Sequence, residues 1–318
     1  MKNPVNIHNI EAKSGEKAKG WLPIAESPTS LIQIPVLITN GVEDGPVLFL
    51  NSGTHACEYS SIEGNIRLQK LFDPREISGA IISSPITNIA SFNNRTQYVN
   101  PIDGKNINTL FPGKKDGTIS DRIAYVIFNE FIRKADVVID LHGGDFIEDL
   151  YPMNILYLTG DPDFDEKMLT IDKCFSNDFY LTMTGSGGIA SESVNLKKPA
   201  LTVEAGGLGQ LKDEDTAYHV NGVINAMKYL NMIEGTPVLK DHKKVSKIHF
   251  VNLSHGGIWH SKARAGEIIT EGQTLGEVTD VFGEIIDRVI APTDGVILFY
   301  MYPAAMHAGE TVFVTGQV

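Results

Sequence analysis

The 318-residue sequence predicts an α/β fold: a mainly parallel mixed sheet with helices on both faces, followed by a small C-terminal β domain. Two observations predict it. Short apolar runs alternate with helix-like segments over the first two-thirds of the chain, the pattern of a parallel sheet covered on both faces. After about Gly235 the helical pattern stops, and short runs broken by Gly, Pro and Asp replace it. At roughly 150 residues per domain the length suits two units, placed at residues 1–235 and 236–318.

The elements follow in order. Val47-Leu48-Phe49-Leu50 reads as a buried strand and Ile62 to Leu71 as the helix after it. Ala80-Ile81-Ile82 and Val137-Val138-Ile139 read as further buried strands. Between them, Ile119 to Lys134 carries Ile123, Val126, Ile127 and Phe131 at helical spacing, with Ser120 near its start. Asn154 to Leu158 and Ala200 to Val203 are two more strands. Asp213 to Met232 closes the region as a helix whose acidic first turn suits the helix dipole. Beyond it, Ala265 to Gly276 and Ala291 to Leu298 read as hairpins. The second turn resembles the half-motifs of biotinyl- and lipoyl-carrier barrels, but no Lys follows Lys262 to carry a prosthetic group.

Composition excludes several function classes. Acidic residues outnumber basic ones, giving a formal charge of −12, which argues against a nucleic-acid or membrane-surface partner. Two cysteines, Cys57 and Cys174, cannot supply a disulfide framework. The N-terminus shows no apolar signal segment, and the stretch Val296 to Met306 is far short of a bilayer span. The expectation is a cytoplasmic protein that acts on a small molecule, with a homo-oligomer allowed.

Three polar constellations sit where the chain leaves buried strands. Gly53-Thr54-His55-Ala56-Cys57-Glu58 follows the first strand, and His55 and Glu58 can bring an imidazole and a carboxylate to one metal ion. The plainer alternative is a helix-start glutamate and an incidental histidine. Asp140-Leu141-His142-Gly143-Gly144 ends another strand. Side chains alternate there, so Asp140 and His142 share a face, and Asp140 can accept the second ring N–H of a metal-bound His142. Glu204 ends the strand Ala200 to Val203, and a carboxylate is costly to bury at a strand end unless something uses it. Ligands of open α/β sheets gather beyond the carboxyl ends of strands. Two histidines and a glutamate with an open fourth position make a catalytic zinc set, and a further glutamate can be the base.

This order of motifs resembles the succinylglutamate desuccinylase/aspartoacylase family of zinc deacylases, relatives of the zinc carboxypeptidases. Asn88-Ile89-Ala90-Ser91-Phe92, Arg95 and the stretch Pro101 to Gly113 reinforce it, and it runs from about Val36 to Met232. The resemblance implies a zinc-carboxypeptidase-like sheet and one zinc per chain on His55, Glu58 and His142. It makes Glu204 the general base, Arg95 the group that polarises the scissile carbonyl, and Asn108 part of an Asn-Arg pair gripping substrate. The implied activity is hydrolysis of a small N-acylated amine or amino acid by zinc-activated water. A carboxypeptidase-like peptidase and a catalytically silent metal- or ligand-binding relative are the alternatives.

Two departures matter. Thr109 stands where the family pattern has arginine, and threonine cannot fork a substrate carboxylate. Arg122, Lys105 and Lys114 are the candidate substitutes. Ala56-Cys57 follows His55 where the family has glycine, and Cys57 reads as a packing residue rather than a soft ligand. Tyr300 and Tyr302 read as packing residues of the C-terminal β domain that can also reach the site entrance.

Overall fold

A computed structural model describes residues 2–318. The chain opens with a short hairpin of β1 (Val5–Ile7) and β2 (Ile10–Ala12). It then builds a nine-stranded mixed sheet from β3 (Glu16–Glu26), β4 (Leu31–Asn40), β5 (Glu43–Asn51), β6 (Ser78–Ser84), β7 (Val137–His142), β9 (Met153–Leu156), β10 (Phe179–Thr182), β11 (Ala200–Glu204) and β12 (Lys243–Lys244). The spatial order is β12-β10-β9-β11-β7-β5-β6-β4-β3. Strands β11, β7, β5 and β6 run parallel at its centre, and β9 crosses antiparallel to β11. Six helices accompany it: α1 (Tyr59–Leu71), α2 (Ile89–Asn94), α3 (Ile119–Val126), α4 (Pro162–Asp172), α5 (Ile189–Asn195) and α6 (Asp213–Tyr229). β7 is buried along its whole length, as its continuous Val-Val-Ile run requires of a strand covered on both faces.

The outer part of the sheet was not visible as strands in the sequence. In β3, Glu-Lys-Ala-Lys-Gly-Trp-Leu-Pro buries Leu22 and leaves most other positions wet or half-wet, which suits an edge strand. Pro23, without an N–H, is tolerated there. The segment expected as one helix over Ile119–Lys134 is α3 followed by a π-turn, Ile127–Ile132. Its N-cap is Thr118. Asp121 Oδ2 accepts from Thr118 N (3.1 Å) and Thr118 Oγ1 (2.9 Å). Ser120 instead donates its N–H and hydroxyl to Asp103 (2.8 and 2.7 Å), anchoring the loop that precedes Asn106.

The C-terminal strands are β13 (Lys247–Asn252), β14 (Gly257–Ser261), β15 (Ile268–Ile269), β16 (Thr274–Thr279), β17 (Ile285–Ile290), β18 (Gly295–Met301), β19 (Ala305–Met306) and β20 (Thr311–Gln317). They form two antiparallel sheets, ordered β13-β20-β18-β15 and β17-β16-β14-β19. The two stretches expected as hairpins turn out to be crossings between sheets. β15 pairs with β18 while β16 pairs with β14 and β17. The reason is burial: Trp259, Leu275, Val278, Ile297 and Phe313 fill one core between the layers, which two isolated hairpins could not close.

This β unit is not merely appended. Met153, Phe179 and Leu181 of the large sheet share a core with Val245, Val296, Leu298 and Val314. A short strand β8 (Glu148–Leu150) leaves the segment after His142 and pairs with β18, setting Glu148 opposite Met301 and Asp149 opposite Tyr300. Tyr300 stacks on Phe313 at 5.6 Å, and Tyr302 N–H donates to Ile147 O at 2.8 Å.

His219 links α6 to the same region. It is fully buried, donates Nε2–H to Ala205 O (3.2 Å), and packs its Cβ where Gly64 of α1 has none. Burial holds its pKa down at about 4. The unfolded chain therefore binds this proton first, so stability is full above about pH 6.5 and falls as pH drops towards 4. The maximum loss is about 3 kcal/mol. Urea unfolding between pH 7.5 and 4.5 should show this slope, and a flatter slope is expected in His219→Gln.

Candidate functional site

The site begins at the carboxyl ends of β5, β7 and β11. Gly53 turns the chain out of β5 with φ +64°, where a side chain would press against the Ile86 backbone. The turn delivers His55 and then Glu58, which stands immediately before α1. Along β7, Asp140 and His142 share a face, and the parallel register places Glu204 beside His142. A Cβ on Gly143 would meet Ala205 O at 2.4 Å, and Gly144 N donates to Gly206 O at 2.7 Å, so the chain leaving β7 passes the end of β11 with no room for side chains between them.

His55, Glu58 and His142 place one ligand atom each within 4.8 Å of one another. Glu58 is the hub. Its Oε1 lies 2.9 Å from His55 Nδ1 and its Oε2 3.0 Å from His142 Nδ1. The far nitrogens are also engaged. His142 Nε2 lies 3.1 Å from Asp140 Oδ2, and His55 Nε2 lies 3.1 Å from Asn106 Oδ1. Both oxygens can only accept, so each Nε2 carries a proton and each Nδ1 is the nitrogen turned to Glu58. A metal ion there would displace the proton that each Nδ1 shares with Glu58 and leave the Nε2–H bonds in place, the arrangement a metal-binding histidine needs.

Asp140 is held from behind. Asn51, paired with Asp140 in the β5–β7 register, donates Nδ2–H to Asp140 Oδ1 at 2.7 Å. Thr87 donates to Asn51 Oδ1 at 2.6 Å and lies 3.0 Å from Ser84 Oγ. Burial disfavours charge on His142 and Glu58, and attraction from their neighbours overcomes it. His142 would be depressed by burial, but Asp140 and Glu58 hold it well above its usual value. Glu58 would be raised by burial, but His142 and His55 hold it low. Such a donor set, mixed nitrogen and oxygen and backed by hydrogen-bonded partners, fits a zinc ion.

Glu204 has the opposite character. Burial and the carboxylates of Glu58, Glu148 and Asp140 push it up to about 8 against the pull of His142. A carboxyl group tuned near neutrality beside the donor set can accept and return a proton. Cys57, between His55 and Glu58, is buried and pushed up to about 12, so its thiol is inert packing.

The other predicted residues lie around this centre rather than in it. Arg95 ends α2 with φ 53°, is exposed, and has no ion-pair partner among the described residues. Its charge is felt at the Tyr59 phenol, at the start of α1. Asn108 and Thr109 lie on a 3-10 turn, Ile107–Thr109, capped by Asn106. Asn106 Oδ1 accepts from Asn108 N at 2.9 Å as well as from His55, so one oxygen ties this turn to the donor set. Asn108 Oδ1 is buried without a partner, whereas Thr109 Oγ1 turns back to Asn106 O at 2.9 Å. Lys105 is paired with Asp121 at 2.7 Å, and Arg122 Nε donates to Gly117 O at 2.8 Å.

Residues 44–230 match the family described as the succinylglutamate desuccinylase/aspartoacylase catalytic domain. The chain belongs to this family. Its members are amide-cleaving hydrolases, and this chain is an enzyme of that class. An N-alpha-acetyl-L-2,4-diaminobutyric acid deacetylase from Halomonas elongata is 26% identical over 309 residues, covering 93% of this chain and 90% of the relative. The fold matches a succinylglutamate desuccinylase/aspartoacylase structure from Rhodobacter sphaeroides, with a TM-score of 0.87, 23% identity and 95% of each chain covered. It also matches the product-bound ectoine utilization protein EutE (DoeB) from Ruegeria pomeroyi, at TM-score 0.88 and 22% identity, covering 99% of this chain and 98% of that one.

Sequence reading missed Asn51, Asn106, Tyr98, Asp145 and Glu148. Asn106 lay within a recognised stretch but has no chemical signature of its own. Asp145 and Glu148 follow His142-Gly143-Gly144 closely, and that proximity was the one available signal. The donor-set geometry leads to a direct expectation. Asp140→Asn, which removes the carboxylate behind His142, should weaken zinc affinity 10- to 100-fold. Competition with a chromophoric chelator measures it, and an unchanged affinity would remove Asp140 from this role.

Proposed function

We propose that the protein is a zinc-dependent deacylase that hydrolyses the amide bond of a small N-acylated amine or amino acid. The observation that carries this reading is the convergence of His55, Glu58 and His142 with Glu204 beside His142 in the β7–β11 register. One zinc ion would be held by His55 Nδ1, His142 Nδ1 and the Glu58 carboxylate. When bound, it supplies the Lewis acidity that makes water nucleophilic near neutral pH.

The protein's own groups account for the rest of the reaction. Glu204 takes a proton from the attacking water and returns it to the leaving amine, so the C–N bond breaks without expelling an amide anion. Arg95, with no ion-pair partner on the rim, is the cation available to stabilise negative charge developing on the acyl oxygen. Asn108, with its unpartnered Oδ1, is positioned for substrate contact on a turn that Asn106 keeps in register with His55. Asn51 and Asp140 keep His142 in its required tautomer.

The relative's named substrate, N-alpha-acetyl-L-2,4-diaminobutyric acid, is the first compound to test, followed by other N-acyl amino acids and C-terminally free peptides. Glu204→Gln should retain stoichiometric zinc and lose 10²- to 10⁴-fold in kcat. Elemental analysis beside steady-state kinetics checks both halves. Retained turnover would overturn the assignment of the base, and strict dependence on a free peptide C-terminus would overturn the deacylase reading.

A further inference from the structure

Between the last two turns of α1 and the face of β3 and β4 lies a cavity of about 500 Å³ that the reaction does not use. Its walls follow from the sheet. Lys17 and Lys19 alternate on β3, so both side chains leave one face, beside Thr39 and Leu37 of β4. Ile66, Gln69 and Lys70 of α1 line the other wall. Leu37 and Ile66 are half-buried and give the cavity an apolar floor. Glu58 precedes the first residue of α1, and Gln69 stands about 15 Å further along the helix axis, so the cavity lies at the end of α1 remote from the donor set.

The charge of the cavity has one sign. No aspartate or glutamate lines it. Lys17, Lys19 and Lys70 are exposed, and among the described residues none of them forms an ion pair. Acidic partners are plentiful in a chain of formal charge −12. Lys105, Lys134, Lys173, Lys240 and Lys262 each have one. Asp73, the carboxylate that feels the charge of Lys17, is already taken by Arg75 at 2.5 Å.

Gln69 supplies an independent observation. It is 8% exposed, and its side-chain Oε1 accepts from Thr39 Oγ1 at 3.1 Å. Its main-chain oxygen accepts from Lys17 Nζ at 2.6 Å. Its Nε2 is buried and has no hydrogen-bond partner. A buried donor left without an acceptor is costly, and native proteins rarely keep one unused. Ammonium groups and an amide N–H can only donate. The complement of this cavity is therefore an acceptor that carries negative charge and an apolar part. Its volume is that of a small-molecule site.

We propose that Lys17, Lys19, Lys70 and Gln69 form a binding site for a small amphipathic anion, a carboxylate or phosphate monoester bearing an apolar chain. The anionic head takes the ammonium groups and the Gln69 Nε2–H, and the chain lies on Leu37 and Ile66. The site is separate from the donor set and stands whether or not the deacylase reading does.

Calorimetry on zinc-loaded full-length protein at low salt tests it, with octanoate, octyl phosphate, 1-octanol and inorganic phosphate as probes. Octanoate or octyl phosphate should bind at least tenfold more tightly than 1-octanol, which lacks the charge, and than inorganic phosphate, which lacks the chain. Added salt should weaken that binding. The double variant Lys19→Gln/Lys70→Gln, altered only at exposed side chains, should lose tenfold or more in affinity. Gln69→Leu, which keeps the bulk and removes the donor, should lose affinity in the same direction, with thermal melts confirming that both variants fold. Tighter binding of octyl phosphate would make the head a phosphate, and tighter binding of octanoate a carboxylate. Equal affinity for octanoate, octyl phosphate and 1-octanol, or inorganic phosphate bound as tightly as octyl phosphate, would overturn the site. Anion binding unchanged in the lysine variant would place it elsewhere, the zinc centre included, and would overturn the site as well.

Discussion

A carboxylate buried between two imidazoles organises this molecule. Glu58 is 4% exposed and holds both of its oxygens towards histidine nitrogens. Burying that charge is unfavourable by several kcal/mol unless cations or strong donors converge on it. Convergence from residues as distant in sequence as His55 and His142 requires the β5–β7 register to be right. The register is in turn secured by Asn51 on Asp140, and by Thr87 on Asn51. The sheet therefore positions the site through side-chain hydrogen bonds between adjacent strands as well as through its ladder.

The C-terminal β unit belongs to the same constraint. The backbone after His142 must leave the sheet, pass the Glu204 turn at glycine-only distances, and end somewhere stable. It ends as β8, a strand whose hydrogen-bonding partner β18 lies in the C-terminal sheet. Without that partner, the three residues Glu148–Leu150 would be an unpaired edge beside the site. The C-terminal strands thus reach the chemistry through backbone pairing. Tyr300 and Tyr302 contribute through packing and a main-chain bond to Ile147.

Legibility in the sequence followed the strength of the local physical signal. β5, β6, β7 and β11 were readable because strands buried on both faces need uninterrupted apolar runs. His55, Glu58, Asp140, His142 and Glu204 were readable because polar groups at the ends of such runs call for an explanation. β3 was not readable, because an edge strand with one wet face resembles a loop once Lys, Gly and Pro enter it. The crossings at β15–β16 and β17–β18 were misread as hairpins because a turn signal marks where the chain bends, not which sheet receives each arm. Asn51 and Asn106 act only through the atoms that tertiary structure brings to them, so no local pattern could single them out.

The charge of the centre follows from these placements. Glu58 lies between two histidines, Asp140 backs one of them, Glu204 stands beside it in the β7–β11 register, and Lys105 is already paired with Asp121. The family pattern carries an arginine at the position of Thr109, and here that side chain is short and bonded within its own turn. Two carboxyls of the same chemistry, Glu58 and Glu204, are thereby tuned apart by their neighbours: the histidines hold the first low, and burial with the surrounding carboxylates pushes the second up to about 8.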